Sequence, residues 1–167
     1  MQRLARTLNA LMIFVLVGIL LSAYYQQFTK QGEPCPLCIL QRLGMITVAF
    51  GLFLNLWYGI RRSHYTLSLV GALVGGSSSL RQICLHICPN SPTFGIPVWG
   101  YSLYVWAFFT FIASLFAIGI LLSIHRDETK SLRINWFESL AILVVGLITL
   151  SNLVSTYLEC GFTSCKG

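Results

Sequence analysis

Residues 35–58 read CPLCILQRLGMITVAFGLFLNLWY, a Cys35-Pro36-Leu37-Cys38 pair that runs without a break into an apolar stretch. Between Leu37 and Tyr58 the only charge is Arg42. The run is long enough to cross the ~30 Å hydrocarbon layer of a bilayer as a single helix. Pro36 suits the first position of that helix, where its missing N–H costs nothing, and Cys35 suits the N-cap. The pair therefore falls where a polar loop meets the membrane, with one end toward water and the other toward lipid.

The rest of the 167-residue chain has the same character, with 56% hydrophobic and 10% charged residues. Soluble domains carry about 25% charge. The net charge of +6 does not argue for a nucleic-acid partner, because the basic residues are scattered between apolar runs. Five spans are expected, near 8–25, 37–58, 66–87, 99–124 and 137–157. They predict an all-α helical bundle forming a single membrane domain over 1–167, with no repeat and no soluble domain. The first span follows the basic start Met1-Gln2-Arg3-Leu4-Ala5-Arg6, as a signal peptide would. Its apolar run is long, however, and no small-x-small site precedes Tyr24-Tyr25-Gln26, so a retained helix is expected.

Basic residues orient the bundle. Arg3, Arg6, Arg61, Arg62, Arg126, Lys130 and Arg133 fall in segments that alternate correctly to lie on one side, against Lys30 and Lys166 on the other. The positive-inside rule makes the first side cytoplasmic. The N-terminus is then inside and the C-terminus outside. On this topology Cys35, Cys38, Cys84, Cys88, Cys160 and Cys165 all fall on the outer face, and none is central in a span. A bacterial inner membrane facing an oxidising periplasm suits such sorting, since disulfides persist there. Six cysteines allow fifteen full pairings, among which the sequence does not choose.

Local chemistry ranks the candidates. A sulfur near a helix N-terminus feels the positive end of the dipole, which favours thiolate. Arg42, four residues past Cys38, shares its helical face and is costly this close to a span unless paired or functional. It suits either a Cys38 thiolate or a carbonyl oxygen of a bound acceptor. Arg81, beside Ser77, Ser78 and Ser79, belongs to a polar strip that either lines a pocket or satisfies helix–helix hydrogen bonds. Gln82 and His86 share that neighbourhood, and His86 is a candidate proton carrier against the commoner role of a hydrogen-bonded interfacial histidine. His64 and His125 read as solvated on the cytoplasmic side.

Gly71-x-x-x-Gly75 allows close helix approach. Asn135 and Glu138 have the spacing of a capping arrangement at the start of the fifth helix. Trp57, Trp99, Trp136 and Tyr157 suit interfacial belts. The aromatic run Tyr101, Tyr104, Trp106, Phe108, Phe109 and Phe111 reads as lipid-facing or core packing.

Cys35-Pro36-Leu37-Cys38-Ile39-Leu40-Gln41-Arg42 resembles the Cys-x-x-Cys-x-x-x-Arg signature of DsbB-type disulfide-bond formation proteins. The Leu80-Arg81-Gln82 and Pro97-Val98-Trp99 segments extend the resemblance through the fourth span. It implies a four-helix thiol oxidase of the bacterial inner membrane linked to a quinone, ubiquinone or menaquinone. By position, Cys38 would be the quinone-facing sulfur, Arg42 would contact the quinone, and Cys35 would exchange with a second outer cysteine pair. That second pair would oxidise a periplasmic DsbA-like thioredoxin-fold partner.

The chain departs from the family pattern by a fifth helix with a Cys160–Cys165 tail, and by a short second outer loop with Cys84 and Cys88 only four apart. Cys84 and Cys88 occupy the family's loop and would share a helical face. Cys160 and Cys165, with Gly161 between them, form a second candidate shuttle, and a relay through all four is a third arrangement. Rival functions are a cysteine-rich membrane metal-binding protein, a thiol reductant running electrons the other way, and a disulfide-stapled assembly subunit. The chain lacks intramembrane carboxylates for a metal path. A vitamin-K-epoxide-reductase-like enzyme would place its quinone-linked pair late in the chain. No resident metal is expected.

Overall fold

The structure is a computed structural model and describes residues 2–30, 36–86, 97–124 and 135–160. They form five helices: α1 (Gln2–Lys30), α2 (Pro36–Trp57), α3 (Arg62–Leu85), α4 (Leu103–Ile124) and α5 (Trp136–Cys160). Pro36 opens α2 as its first residue, as its fixed φ and missing N–H favour. One hydrophobic cluster takes in residues of all five helices, from Ala10 and Ile13 in α1 to Val145 and Ile148 in α5.

Four helices, all but α3, are long and apolar enough to cross a membrane. Part of the polar content that lowers α3 below that level is turned inward. Ser68, Ser78, Ser79 and Gln82 are all buried. Ser68 Oγ donates to the Val48 carbonyl at 2.9 Å, and Ser78 Oγ donates to the Leu37 carbonyl at 3.2 Å. With Gly44 against Gly75 and His64 against Asn55, these contacts run antiparallel along nearly the whole of α2. α3 therefore covers the same depth as the apolar helix it packs on, and its buried serine hydroxyls bond to α2 or to its own backbone.

Close approach makes this pairing possible. A Cβ at Gly44 would lie 2.8 Å from Gly75 Cα, and one at Gly71 would lie 2.8 Å from Thr47 Cβ. The Gly71-x-x-x-Gly75 spacing thus serves two neighbours, since Gly75 also receives the ring of Phe111 from α4.

α2 is the central element, touching α1, α3, α4 and α5. α3 and α4 cover one flank, and α1 and α5 cover the other. At the end away from Cys38, Arg6 of α1 is 2% exposed and bonds Glu138 of α5 through Nε at 2.8 Å and Nη2 at 2.7 Å. The same Nη2 donates to the Leu56 carbonyl at 3.0 Å, in the last turn of α2 where carbonyls lack helical partners. Glu138 also accepts the Asn135 backbone N–H at 3.1 Å, so the expected capping arrangement is present through its carboxylate half. One ion pair thereby joins the starts of α1 and α5 to the end of α2.

The fourth helix begins later than the apolar pattern suggested, at Leu103 and not near Trp99. Trp99 and Gly100 adopt φ of +52° and +82°, which no right-handed helix accommodates. They form a tight turn closed by reciprocal Val98 and Tyr101 backbone hydrogen bonds of 2.9 and 3.1 Å. Trp106 Nε1 donates to the Val98 carbonyl at 3.0 Å and holds the turn against α4. Trp99 is left 87% exposed, as an interfacial belt residue would be. The aromatic run divides as its two readings allowed, with Phe111 and Tyr104 buried and Phe109 and Tyr101 exposed.

Candidate redox site

Cys38 is the third residue of α2, so its sulfur lies within the first turn, where unpaired backbone N–H groups give the helix a positive end. It is partly exposed. α3 brings Gln82 against it, with Gln82 Nε2 at 3.6 Å and Oε1 at 3.9 Å from Cys38 Sγ. Gln41, one turn along α2, donates through Nε2 to Gln82 Oε1 at 2.6 Å. Both glutamines are buried, at 6% for Gln41 and 1% for Gln82. The antiparallel α2–α3 register is what lets residues more than forty positions apart meet here.

Arg42 lies on the other side of the cysteine, toward α1. Its guanidinium carbon is 4.8 Å from the centroid of the Tyr24 ring. Such a contact satisfies the charge through the ring face and does not consume the guanidinium N–H donors. Tyr24 is itself buried, and its hydroxyl donates to Asn152 Oδ1 of α5 at 2.7 Å. The fifth helix therefore reaches Arg42 through one intervening ring.

His86 caps the C-terminus of α3. Its backbone N–H meets the Gln82 and Ile83 carbonyls at 3.2 and 3.1 Å. Its Nδ1 is 2.8 Å from the Gln82 carbonyl, and its ring lies 5.3 Å from that of Tyr104. A carbonyl only accepts, so Nδ1 carries the hydrogen, and in the neutral ring Nε2 holds the lone pair. His64 differs from the solvated residue expected: it is half-buried and its Nδ1 pairs with Asn55 Oδ1 at 3.1 Å.

Arg81 and Cys84 are both exposed and, three apart on α3, share a face turned away from Gln82. The serine strip resolves residue by residue, since Ser78 and Ser79 are buried and bonded to backbone whereas Ser77 is exposed. α3 ends at Leu85, and the helical face expected to join Cys84 to Cys88 lies partly outside the described residues. Cys35, Cys88 and Cys165 lie outside the described residues, as does His125. Cys160 is the last residue of α5, on the flank of α2 opposite α3. Among the described residues no three His, Cys, Asp or Glu side chains come together as metal ligands would.

Three participants escaped the sequence reading: Gln41, Tyr24 and Asn152. Gln41 immediately precedes Arg42 and lies three residues from Cys38, so helical spacing alone places it beside the sulfur. Tyr24 and Asn152 carry no such local signal.

The sequence match to a known family covers the first three helices. The family model for disulfide bond formation protein DsbB matches residues 5–95, more than half of the chain, ending before α4. Disulfide bond formation protein B 1 of Burkholderia lata is 35% identical over 93 residues, which are 53% of this chain and 54% of that protein. Disulfide bond formation protein B of Xanthomonas campestris is 34% identical over 78 residues, 44% of this chain and 45% of its own. The counterpart in Hahella chejuensis is 28% identical over 88 residues, 50% and 53% of the two chains. The match thus spans about half the length of each relative. No solved structure matches the chain. The matched stretch holds the whole constellation around Cys38 except Asn152, and on it the chain belongs to the DsbB family of disulfide bond formation proteins.

Proposed function

We propose that this protein is a membrane thiol:quinone oxidoreductase that reoxidises a periplasmic DsbA-like dithiol protein and so supports disulfide-bond formation. In this reading residues 1–167 form one domain of a bacterial inner membrane, with the N-terminus cytoplasmic and the C-terminus periplasmic. The observation that carries the proposal is the setting of Cys38: a partly exposed sulfur in the first turn of the central helix, with an amide donor at 3.6 Å and a cation one turn further on.

The donor set suits a quinone. Arg42, on the helical face of Cys38, supplies N–H donors for a carbonyl oxygen. A quinone bound there would accept two electrons and two protons. The remaining chemistry belongs to the chain. A thiolate of the shuttle pair attacks Cys35 in a Cys35–Cys38 disulfide. A new sulfur–sulfur bond forms at Cys35, and the electron pair of the broken bond stays on Cys38 as thiolate. The first-turn dipole and Arg42 favour that anion. His86, with Nδ1–H bonded to the Gln82 carbonyl, offers Nε2 as a proton carrier beside the site. Cys84–Cys88 is the shuttle pair, since Cys84 lies on the helix that contacts Cys38 and both cysteines fall within the stretch shared with the family.

The test uses purified full-length protein, a reduced DsbA-like partner and either ubiquinone or menaquinone, with quinone reduction followed spectroscopically. Wild type reduces the quinone, and Cys38→Ser lowers turnover at least 100-fold, on the order expected when a reacting group is removed. Unchanged turnover in Cys38→Ser sinks the mechanism. Cys84→Ser is expected to abolish partner oxidation while small dithiols still drive quinone reduction. If Cys160→Ser behaves so instead, the shuttle is the C-terminal pair.

A further inference from the structure

Gln82 stands in an unusual relation to Cys38, since both ends of its amide lie within reach of one sulfur, Nε2 at 3.6 Å and Oε1 at 3.9 Å. We propose that Gln82, oriented by Gln41, is a positioning residue that sets the protonation state of Cys38; the idea rests on the redox reading above and deepens it. The amide serves each form of the sulfur with a different atom. A thiol donates its hydrogen to Oε1, and a thiolate accepts one from Nε2.

Gln41 decides between them. Its Nε2 donates to Gln82 Oε1 at 2.6 Å, and the Gln82 oxygen is thereby engaged on its Gln41 side. That bond fixes which way round the amide lies and presents its NH2 group to the sulfur. An N–H donor to an anion is about twice as strong as one between neutral groups. The pair is 1% and 6% exposed, so water competes little for either amide. The result is a bias toward thiolate on top of the helix dipole. A sulfur whose thiolate is stabilised leaves faster when the disulfide is opened at its neighbour.

This role differs from holding the acceptor, because it acts on Cys38 whether or not a quinone is present. It is therefore read without quinone, from the pH profile of iodoacetamide alkylation of the reduced full-length protein in detergent, resolved for each cysteine by mass spectrometry. Gln82→Leu is expected to move the Cys38 profile to higher pH and to slow its alkylation at pH 7 about 10-fold, the size of a one-unit shift. Gln41→Leu moves it the same way by less. Gln82→Glu, which sets a carboxylate at the sulfur, moves it further than Gln82→Leu. Cys84, on the exposed face, keeps its profile in all three.

Gln82→Met preserves length and apolar shape without the donor, and carries the test if Gln82→Leu fails to fold. An unmoved Cys38 profile in a folded Gln82 variant overturns the proposal, as does an equal shift at Cys84. Loss of the broader redox reading shows up separately, as quinone reduction that survives Cys38→Ser while the alkylation shift remains.

Discussion

At the scale of single residues, the amides and the histidine do more than composition suggests. Gln41 and Gln82 are uncharged and ordinary in a helix, yet both are buried with the sulfur of Cys38 as common neighbour. Cys38 and Arg42 were legible, because a cysteine pair at a helix start and an arginine four residues on carry their own chemistry. Gln82 was legible only as part of a polar neighbourhood, since its contact depends on how α3 registers against α2. His64 gives the clearest consequence for pH. It sits in the first turn of α3, ahead of the expected span, and its pKa is held below the usual value. Burial is the main cause, repulsion from Arg61 adds to it, and a hydrogen bond donated to the Gly59 backbone opposes both. The unfolded chain thus takes up this proton more readily than the native one, and native stability falls as pH drops below about 6.5. The loss is complete once pH is under the folded value. Thermal melts between pH 5 and 8 should show this slope, and His64→Gln should flatten it.

Among the elements, α3 and the turn before α4 teach opposite lessons. The first was recognisable as a helix from its apolar run despite its serines, and the Gly-x-x-x-Gly spacing read as close approach is where it meets α2. The fourth helix starts later than the apolar run, since Trp99 and Tyr101 extend that run while the positive φ of Trp99 and Gly100 keeps both out of the helix. Hydropathy reports what a residue prefers to touch and is blind to the sign of φ. The α2–α3 contact gives a graded prediction. Gly44→Ala drives a methyl to within 2.8 Å of the Gly75 backbone, which cannot yield as a side chain would. It should cost about 1–3 kcal/mol, the range for overpacking. Gly119→Ala meets nothing within 4 Å and should be close to neutral. Melting of the two variants in the same detergent tests the difference.

For the whole molecule, the most consequential link is also the one least visible in sequence. Arg6 read as a topology signal and Glu138 as a cap, but their pairing spans 132 positions and depends on α1 and α5 sharing a flank of α2. Breaking it singly, by Arg6→Leu or Glu138→Gln, leaves a buried charge unmatched and should lower stability by roughly 3–5 kcal/mol. The double change Arg6→Met with Glu138→Leu removes both charges and should recover most of that loss. A melting comparison of the three proteins decides it, and additive losses in the double variant would show that the pair is not coupled.

That ion pair also joins the first helix to be synthesised to the last. Helices leave the ribosome from the N-terminus, so Arg6 enters the membrane long before its carboxylate has been synthesised. Until then the guanidinium has to remain at the headgroups or settle on the Leu56 carbonyl alone. Its final seat becomes available only with α5, the same helix whose Asn152 steadies Tyr24 beneath Arg42. The last helix thus supplies a partner at both ends of the bundle, and a chain stalled before Trp136 carries Arg6 without its carboxylate.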